Sequence, residues 1–227
     1  MPRNSAYERL SEEDELVLRD LIRFGALSFE QFARRYGKPK HKRLPRLARL
    51  MKGRYVARKP DFPSTCRFYM ATHRAVRALQ SDMQELKTPP NHPEHDLSVV
   101  NLADWLLDQN PGATWLTERE LRELSRKPMG WGRPPRGGHP PDGALLLEGR
   151  LIGIELERRF DGHEKYARAC RWFAEHIEFH EVRWYVLTQR LLEEIPKIVR
   201  AHGLDQDIQI VTLPIPLEVE LVGWKRR

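Results

Sequence analysis

Cysteine is scarce in this sequence, and long apolar runs are missing from it. The 227 residues include two cysteines, Cys66 and Cys170, which lie far apart, so neither a disulfide framework nor a paired-cysteine zinc site is expected. No segment is apolar for long enough to cross a bilayer, and no signal-peptide pattern is present. A glycine-rich phosphate loop of the Walker type is also missing. We therefore expect a cytoplasmic protein with no membrane partner and no nucleotide cofactor.

Positive charge is concentrated in the amino-terminal part of the chain. The formal net charge is +7, and the sequence pI is about 9.6. Residues 1–88 hold 20 of the 39 Lys and Arg residues but only 10 of the 32 Asp and Glu residues. The remainder of the chain is mildly acidic. This asymmetry predicts that the amino-terminal part binds a polyanion, and double-stranded DNA is the partner we expect.

Two capped helices are predicted at the start of the chain, and a third, basic helix follows them. Ser11 precedes an acidic first turn and an apolar stripe, and Gly25 follows that stripe. Ser28 and Gly37 bound a second, shorter helix in the same way. The third helix begins near Leu44 and carries arginines between its leucines.

A β-hairpin and a fourth helix are predicted to complete this domain. Residues 55–58 and 67–72 have the pattern of strands around a proline-containing turn, and a helix is predicted from His73 to about Glu85. The order helix, helix, basic helix, hairpin, helix is that of a winged helix-turn-helix, which we assign to residues 1–86. The alternatives are a helical bundle with a solvated basic face, or a winged helix that binds protein.

The basic residues around the third helix and the hairpin are the predicted DNA contacts. In a winged helix the third helix enters the major groove, and basic side chains near it and on the wing meet phosphates. On this interpretation the contacting residues are Lys38, Lys40, Lys42, Arg43, Arg46 and Arg49, together with Arg58, Lys59 and Arg67 of the wing.

A proline-rich linker, residues 87–94, is predicted to separate this domain from a second one, residues 95–227. The second domain is expected to open with a helix at His95 and to continue through a strand, a short helix and a hairpin into alternating helices and strands. This alternation implies a mixed sheet with helices on its faces, so the fold class is α/β, or α+β overall. A basic loop, residues 127–141, precedes the hairpin as either a mobile substrate clamp or a disordered insertion.

Three carboxylates are predicted to converge on that hairpin. Asp142 opens its first strand, and the second strand carries Glu155 and Glu157 on one face because successive strand residues alternate. A hairpin brings the start of its first strand near the end of its second. Carboxylates this close repel each other, and a hard divalent cation would relieve the repulsion. The pattern predicts metal-assisted hydrolysis of a phosphodiester, with Mg²⁺ or Mn²⁺ as the cofactor.

The arrangement resembles the PD-(D/E)XK nuclease core through Pro141-Asp142 and Glu155-Leu156-Glu157. The resemblance implies a restriction-endonuclease-like, mixed-sheet domain in which Asp142 and Glu155 bind the metal. Where that family has a catalytic lysine, this chain has Glu157. Three explanations stay open: a lysine reaches in from the next helix, with Lys165 as the candidate; Glu157 is a further metal ligand; or catalysis has been lost.

The chain as a whole also resembles the replication-relaxation family of plasmids and other mobile elements. The residues that carry this resemblance are His95-Asp96-Leu97, Pro141-Asp142-Gly143, Glu155-Leu156-Glu157 and Lys165-Tyr166. It implies nicking or cleavage of DNA in plasmid replication or relaxation, with replication or mobile-element proteins as partners. One rival is a non-catalytic accessory protein or transcriptional regulator whose nuclease-like domain only binds DNA or forms a homodimer. Another is an RNA-processing or structural role.

Three further residues are candidates for supporting roles near the carboxylates. His95 is either a group that supports the metal-binding carboxylates or transfers a proton near them, or simply a helix-start residue. Asp96 is a candidate for the acid that the nuclease core often takes from its first helix. His139, next to the Pro-Asp pair, is a candidate for phosphate contact.

Overall fold

The computed structural model describes residues 10–37, 44–59, 68–86, 92–126, 140–176 and 178–213. The chain divides into two compact units, Met1–Pro93 and Glu94–Arg227. Each unit has its own sheet. None of the described helices is long and apolar enough to cross a membrane.

The described residues of the first unit form four helices and a small antiparallel sheet. Its sheet has the strand order β1-β3-β2. In chain order the elements are α1 (Glu12–Phe24), β1 (Leu27–Ser28), α2 (Phe29–Tyr36), α3 (Pro45–Lys52), β2 (Val56–Lys59), β3 (Phe68–Ala71) and α4 (His73–Ala78).

The predicted starts of the first two helices are confirmed. The Ser11 hydroxyl accepts a hydrogen bond from the Asp14 amide, and the Asp14 carboxylate accepts one from the Ser11 amide, which forms a capping box. Ser28 and Gln31 repeat this arrangement at the start of α2. Both caps satisfy backbone N–H groups that would otherwise lack an intrahelical partner, so they fix where each helix begins.

Two elements of the first unit differ from the prediction. Helix α4 ends at Ala78 rather than near Glu85, and Gln80 beyond it has a positive φ of 49°, which no helix accommodates. Strand β1 was not predicted, because it has only two residues and no alternation to reveal it. It pairs with β3, so Leu27 lies opposite Tyr69.

The second unit is built on a five-stranded mixed sheet, which confirms the α/β class. The strand order is β4-β5-β6-β7-β8; the first three strands are antiparallel, and β6, β7 and β8 are parallel. In chain order the elements are α5 (Pro93–Gln109), β4 (Thr114–Thr117), α6 (Glu118–Arg126), β5 (Gly143–Leu147), β6 (Arg150–Glu157), α7 (His163–Glu175), β7 (Glu181–Val186), α8 (Gln189–Ala201) and β8 (Ile208–Thr212).

The predicted hairpin is present as β5 and β6. Its two turn residues, Glu148 and Gly149, have φ values of 51° and 77°, the pattern of a tight turn whose twist matches that of the flanking strands. Strand β6 begins directly after the turn, at Arg150. Asp142 stands immediately before β5 rather than inside it.

An aromatic core holds α7 and α8 against the parallel half of the sheet. Trp184 of β7 is buried and packs edge-on against Tyr166 and Phe173 of α7. Leu191 and Ile195 of α8 belong to the same cluster. The alternation of helices and strands predicted after the hairpin is present as α7, β7, α8 and β8.

Candidate active site

The strand register brings Asp142 level with Glu155. Gly143 pairs with Ile154 in the antiparallel ladder, so the residues just outside that pair are Asp142 and Glu155. The Leu156 amide donates a hydrogen bond of 2.8 Å to Oδ2 of Asp142, which fixes the carboxylate against β6. The predicted approach of Asp142 to the second strand is therefore present.

The other oxygen of Asp142 is bonded to a histidine from α5. Nε2 of His95 lies 2.9 Å from Oδ1 of Asp142. Burial on its own would lower the pKa of His95, but the charge of Asp142 and this hydrogen bond raise that pKa to about 9. The charges of Asp96 and Glu157 act in the same direction. The hydrogen bond places His95 at the carboxylates, and a pKa of about 9 means that its imidazole is largely protonated at neutral pH.

Glu157 is bonded to the lysine that the sequence singled out. Nζ of Lys165, in the first turn of α7, lies 2.7 Å from Oε1 and 2.9 Å from Oε2 of Glu157. Burial raises the pKa of Glu157, although the Lys165 charge and hydrogen bond oppose it. The pKa of Lys165 is raised, because the attraction of Glu157 exceeds the effect of its own burial. The Tyr166 hydroxyl lies 3.5 Å from Oε2 of Glu157, and burial and this charge raise the pKa of Tyr166 to about 12.

Glu155 is the most deeply buried of the three carboxyl groups, with 3% of its surface exposed. Burial raises its pKa well above the usual range, and the neighbouring charges of Asp142 and Glu157 add to that effect. The charge of Lys165 opposes them.

The donor chemistry of these residues suits a hard cation, although their side chains engage each other first. Within the described ranges no group of three or more His, Cys, Asp and Glu side chains is arranged to hold a metal ion. Both oxygens of Asp142 and both oxygens of Glu157 are bonded to protein donors. Mg²⁺ and Mn²⁺ take carboxylate oxygens, so Asp142 and Glu155, which lie level with each other on neighbouring strands, are the groups whose chemistry suits such a cation.

Of the other two candidates for supporting roles, the structure describes Asp96 but not His139. Asp96 lies on α5 beside His95, and its charge helps to keep that imidazole protonated. His139 lies outside the described residues, as does the predicted loop up to that position.

Several of the predicted DNA contacts also lie outside the described residues. They are Lys38, Lys40, Lys42, Arg43 and Arg67, together with the side chain of Lys59, whose backbone ends β2. Arg58 is exposed on β2, as expected of a wing residue.

Arg46 and Arg49 make contacts that their sequence context did not predict. Both lie on α3, and both form ion pairs with the acidic first turn of α1. Nη2 of Arg49 is 2.5 Å from Oδ1 of Asp14, and Arg46 pairs with Glu13. Burial tends to raise the pKa of Asp14, but hydrogen bonds from Ser11 and Arg49 outweigh it, so the pKa is lowered. These arginines therefore join α3 to α1.

Two residues of the site were missed by the sequence analysis. Glu118 is the first residue of α6, directly after β4, and its charge acts on Glu155. The same segment caps the helix, because the Thr117 amide donates a hydrogen bond of 2.8 Å to Glu120. The second residue that was missed is Gly143. A Cβ atom at this position would lie 2.0 Å from Cζ2 of Trp115. The sequence feature that could have identified Gly143 is the Pro141-Asp142-Gly143 motif.

A comparison of the chain with protein-family models found no match, and a comparison with curated proteins found none either.

Proposed function

We propose that this protein binds DNA and hydrolyses phosphodiester bonds with the help of a divalent cation. The observation that carries the proposal is the convergence of Asp142, Glu155 and Glu157 on the hairpin of β5 and β6, next to the cations His95 and Lys165. Packing alone does not favour several buried ionisable groups in one place, and clusters of this kind are typical of catalytic sites.

The order of the elements supports the two-domain interpretation. In the second unit three antiparallel strands, with α6 between the first two, are followed by a helix and a fourth strand parallel to the third, as we expect of a restriction-endonuclease-like core. In the first unit, two helices, a basic helix and a hairpin follow in the order expected of a winged helix-turn-helix. The excess of basic residues in positions 1–88 favours duplex DNA as its ligand.

Asp142 and Glu155 are the residues that would hold Mg²⁺ or Mn²⁺. When bound, such a cation polarises the phosphate and lowers the pKa of a coordinated water. His95 and the Leu156 amide orient the Asp142 carboxylate through the two hydrogen bonds described above. Lys165 stands at the site as a cation beside Glu157, where it can stabilise negative charge that develops on a phosphate oxygen.

A second candidate function is a DNA-binding accessory protein or regulator without catalysis. It is favoured by the pairing of Asp142 with His95 and of Glu157 with Lys165, because these ion pairs neutralise two of the carboxylates within the protein itself. In this case the second unit is a nuclease-like scaffold. For either function we propose plasmid replication or DNA relaxation as the process, with replication or mobile-element proteins as partners.

Cleavage of supercoiled plasmid distinguishes the two functions. We expect the wild-type protein with Mn²⁺ or Mg²⁺ to produce nicked or linear DNA, and Asp142→Asn to produce neither while still shifting DNA on a gel. Glu193→Gln is the matched control, because Glu193 is an acid of α8 whose carboxylate bonds to Gln189 on an exposed surface. Binding without cleavage by the wild type would leave the accessory role, and neither binding nor cleavage would contradict both candidates.

A further inference from the structure

The positive charge of the first unit is only partly balanced by its own acids. Residues 31–81 contain fifteen Lys and Arg residues and a single acid. Three of these cations, Arg35, Arg46 and Arg49, are paired with acids of α1. A cation without such a pair can contact a polyanion without first giving up a partner, so the unpaired cations are the ones to locate.

Two exposed arginines, Arg54 and Arg77, lie on a surface to which the sequence analysis assigned no role. Neither has an ion-pair partner among the described residues. Arg54 lies in the turn between α3 and β2, and its carbonyl oxygen accepts a hydrogen bond of 2.8 Å from the hydroxyl of Thr72, the residue before α4. Arg77 lies on α4 itself. The hydrogen bond therefore joins the turn that carries one arginine to the helix that carries the other.

A third cation, Arg74, is positioned by an aromatic ring on the same surface. Its Cζ atom lies 4.6 Å from the centroid of the buried Tyr55 ring, which is a cation–π distance. Gly53 leaves room for that ring, since a Cβ atom there would lie 2.9 Å from Cδ2 of Tyr55. Arg74 and Arg77 are three residues apart on α4 and so share a face of the helix. We call Arg54, Arg74 and Arg77 the basal cluster, because they lie beside the end of the β2–β3 hairpin where Val56 pairs with Ala71.

The backbone of Arg54 is an independent sign that this residue serves a function. Its φ of 57° lies in the left-handed region, which Gly and Asn adopt more readily than a long side chain does. Gly53, directly before it, has an ordinary φ of −71°. A cation therefore occupies the strained position although a glycine stands next to it. Strained positions of this kind cluster at functional sites.

The chemistry of the basal cluster favours a nucleic-acid backbone over a protein surface. Its three cations are all arginines, whose guanidinium groups match the geometry of phosphate oxygens. Protein interfaces have an apolar centre. Among the described residues the exposed large apolar side chains are Leu16 and Leu146, and neither belongs to the turn or to α4.

We propose that the basal cluster is a further phosphate-contact surface of the amino-terminal unit, which binds the backbone of duplex DNA in addition to the predicted contacts of α3 and the wing. The inference rests on the proposed DNA binding and adds a surface to it. Phosphate contacts fix the register and orientation of a protein on the duplex without reading its sequence. The basal cluster would accordingly add affinity for any duplex.

The salt dependence of duplex binding tests this assignment. Arg54→Gln and Arg77→Gln should each reduce the slope of log K against log salt by about 0.9, the value expected for one lost phosphate contact. Arg54→Lys keeps the charge and should keep the wild-type slope. Arg19→Gln is the matched control, because Arg19 is an exposed cation of α1 that pairs with Glu15. It should also keep the wild-type slope.

Thermal unfolding of Arg54→Asn distinguishes a contact role from a structural one. Asn tolerates the left-handed conformation better than Arg, so this variant should unfold at a temperature no lower than that of the wild type. Its slope should nevertheless fall as in Arg54→Gln, because the cation is gone. A lower unfolding temperature together with weaker binding would show that Arg54 supports the fold, and it would overturn the contact role.

The outcomes also separate this inference from the proposed function. If Arg58→Gln reduces the slope while Arg54→Gln and Arg77→Gln keep it, the basal cluster does not touch DNA and the proposed DNA binding stands. A wild-type affinity that does not vary with salt would overturn both. Labelled poly-L-glutamate serves as the second probe. If the two variants lost affinity for it but kept the wild-type slope on DNA, the surface would bind an acidic protein, and the DNA assignment would be overturned.

Discussion

At the residue scale, the site depends on groups that only the folded sheet brings together. Asp142, Glu155 and Glu157 are neighbours because of hairpin geometry, which is local in sequence. His95 comes from a helix 47 residues before Asp142, and Lys165 comes from the helix that follows the hairpin. The two cations offset the charge of an acidic cluster in which Glu155 and Glu157 are buried and Asp142 is half-buried.

Gly143 is predicted to be required for the position of Asp142. In Gly143→Ala the new Cβ would lie 2.0 Å from the Trp115 ring, so either the ring or the strand must move. We expect a loss of about 1–3 kcal/mol in the free energy of unfolding, measured by urea denaturation. Trp115→Phe in the same chain should recover part of the loss, because it removes the atoms that clash. A Gly143→Ala protein as stable as the wild type would contradict this packing.

Lys165 is predicted to matter for stability as well as for cleavage. Lys165→Met leaves Glu157 buried without its cation, so the free energy of unfolding at pH 7 should fall by about 1–3 kcal/mol. Lys197→Met is the control, because Lys197 pairs with Glu194 on the exposed face of α8. The double variant Lys165→Met, Glu157→Gln should regain stability, since it removes the uncompensated charge. If Lys165→Met were as stable as Lys197→Met, Lys165 would not stabilise the buried Glu157 carboxylate.

At the element scale, ion pairs connect helix α1 to helix α3. Asp14 is fully buried and bonded to Arg49, whereas Glu15 on the next position pairs with Arg19 on an exposed surface. We expect Asp14→Asn to lower the free energy of unfolding by about 1–3 kcal/mol and Glu15→Gln to lower it by less than about 0.5 kcal/mol. Thermal or urea unfolding of both variants checks this.

The ion pair between Asp14 and Arg49 should make the free energy of unfolding depend on pH in the acid range. The folded-state pKa of Asp14 is lowered below its ordinary value of 3.8, so its stabilising effect is present above that pH and is lost as the pH falls through the lowered pKa. The stability difference between the wild type and Asp14→Asn should therefore be constant from pH 7 to about 5 and shrink below about pH 4. A difference that stays constant down to pH 2 would contradict a lowered pKa.

Elements differed in how well the sequence predicted them. Ser11 and Ser28 mark helix starts because capping boxes are local, and Glu148-Gly149 marks the hairpin because its turn is local too. Strand β1 escaped prediction because its two residues owe their conformation to pairing with β3. The effect of the Glu118 charge on Glu155 could not be predicted from the sequence. It depends on the order of the strands in the sheet, which the pattern of a single segment does not encode.

At the scale of the whole molecule, the charge asymmetry gives the proposed DNA affinity a testable salt dependence. Binding should weaken steeply with salt, because phosphate contacts release counterions. Arg58, exposed on β2, has no ion-pair partner among the described residues, so Arg58→Gln should reduce the slope of log K against log salt by about 0.9. Arg49→Gln should change the slope less and stability more, because Arg49 is bonded to Asp14.

Fluorescence anisotropy of a labelled duplex over a range of salt concentrations measures these slopes. An affinity that does not vary with salt would contradict DNA binding by the basic unit. Equal slopes for Arg58→Gln and the wild type would remove Arg58 from the contact surface.

The most direct test of the account is to locate the cation itself. Crystals grown with Mn²⁺ should show an anomalous scattering peak within coordination distance of Asp142 and Glu155, and crystals of Asp142→Asn grown in the same way should not. A peak at these carboxylates would establish the centre on which the proposed hydrolysis depends. No peak there in the wild type, with His95 and Lys165 still bonded to their acids, would contradict a metal-dependent nuclease.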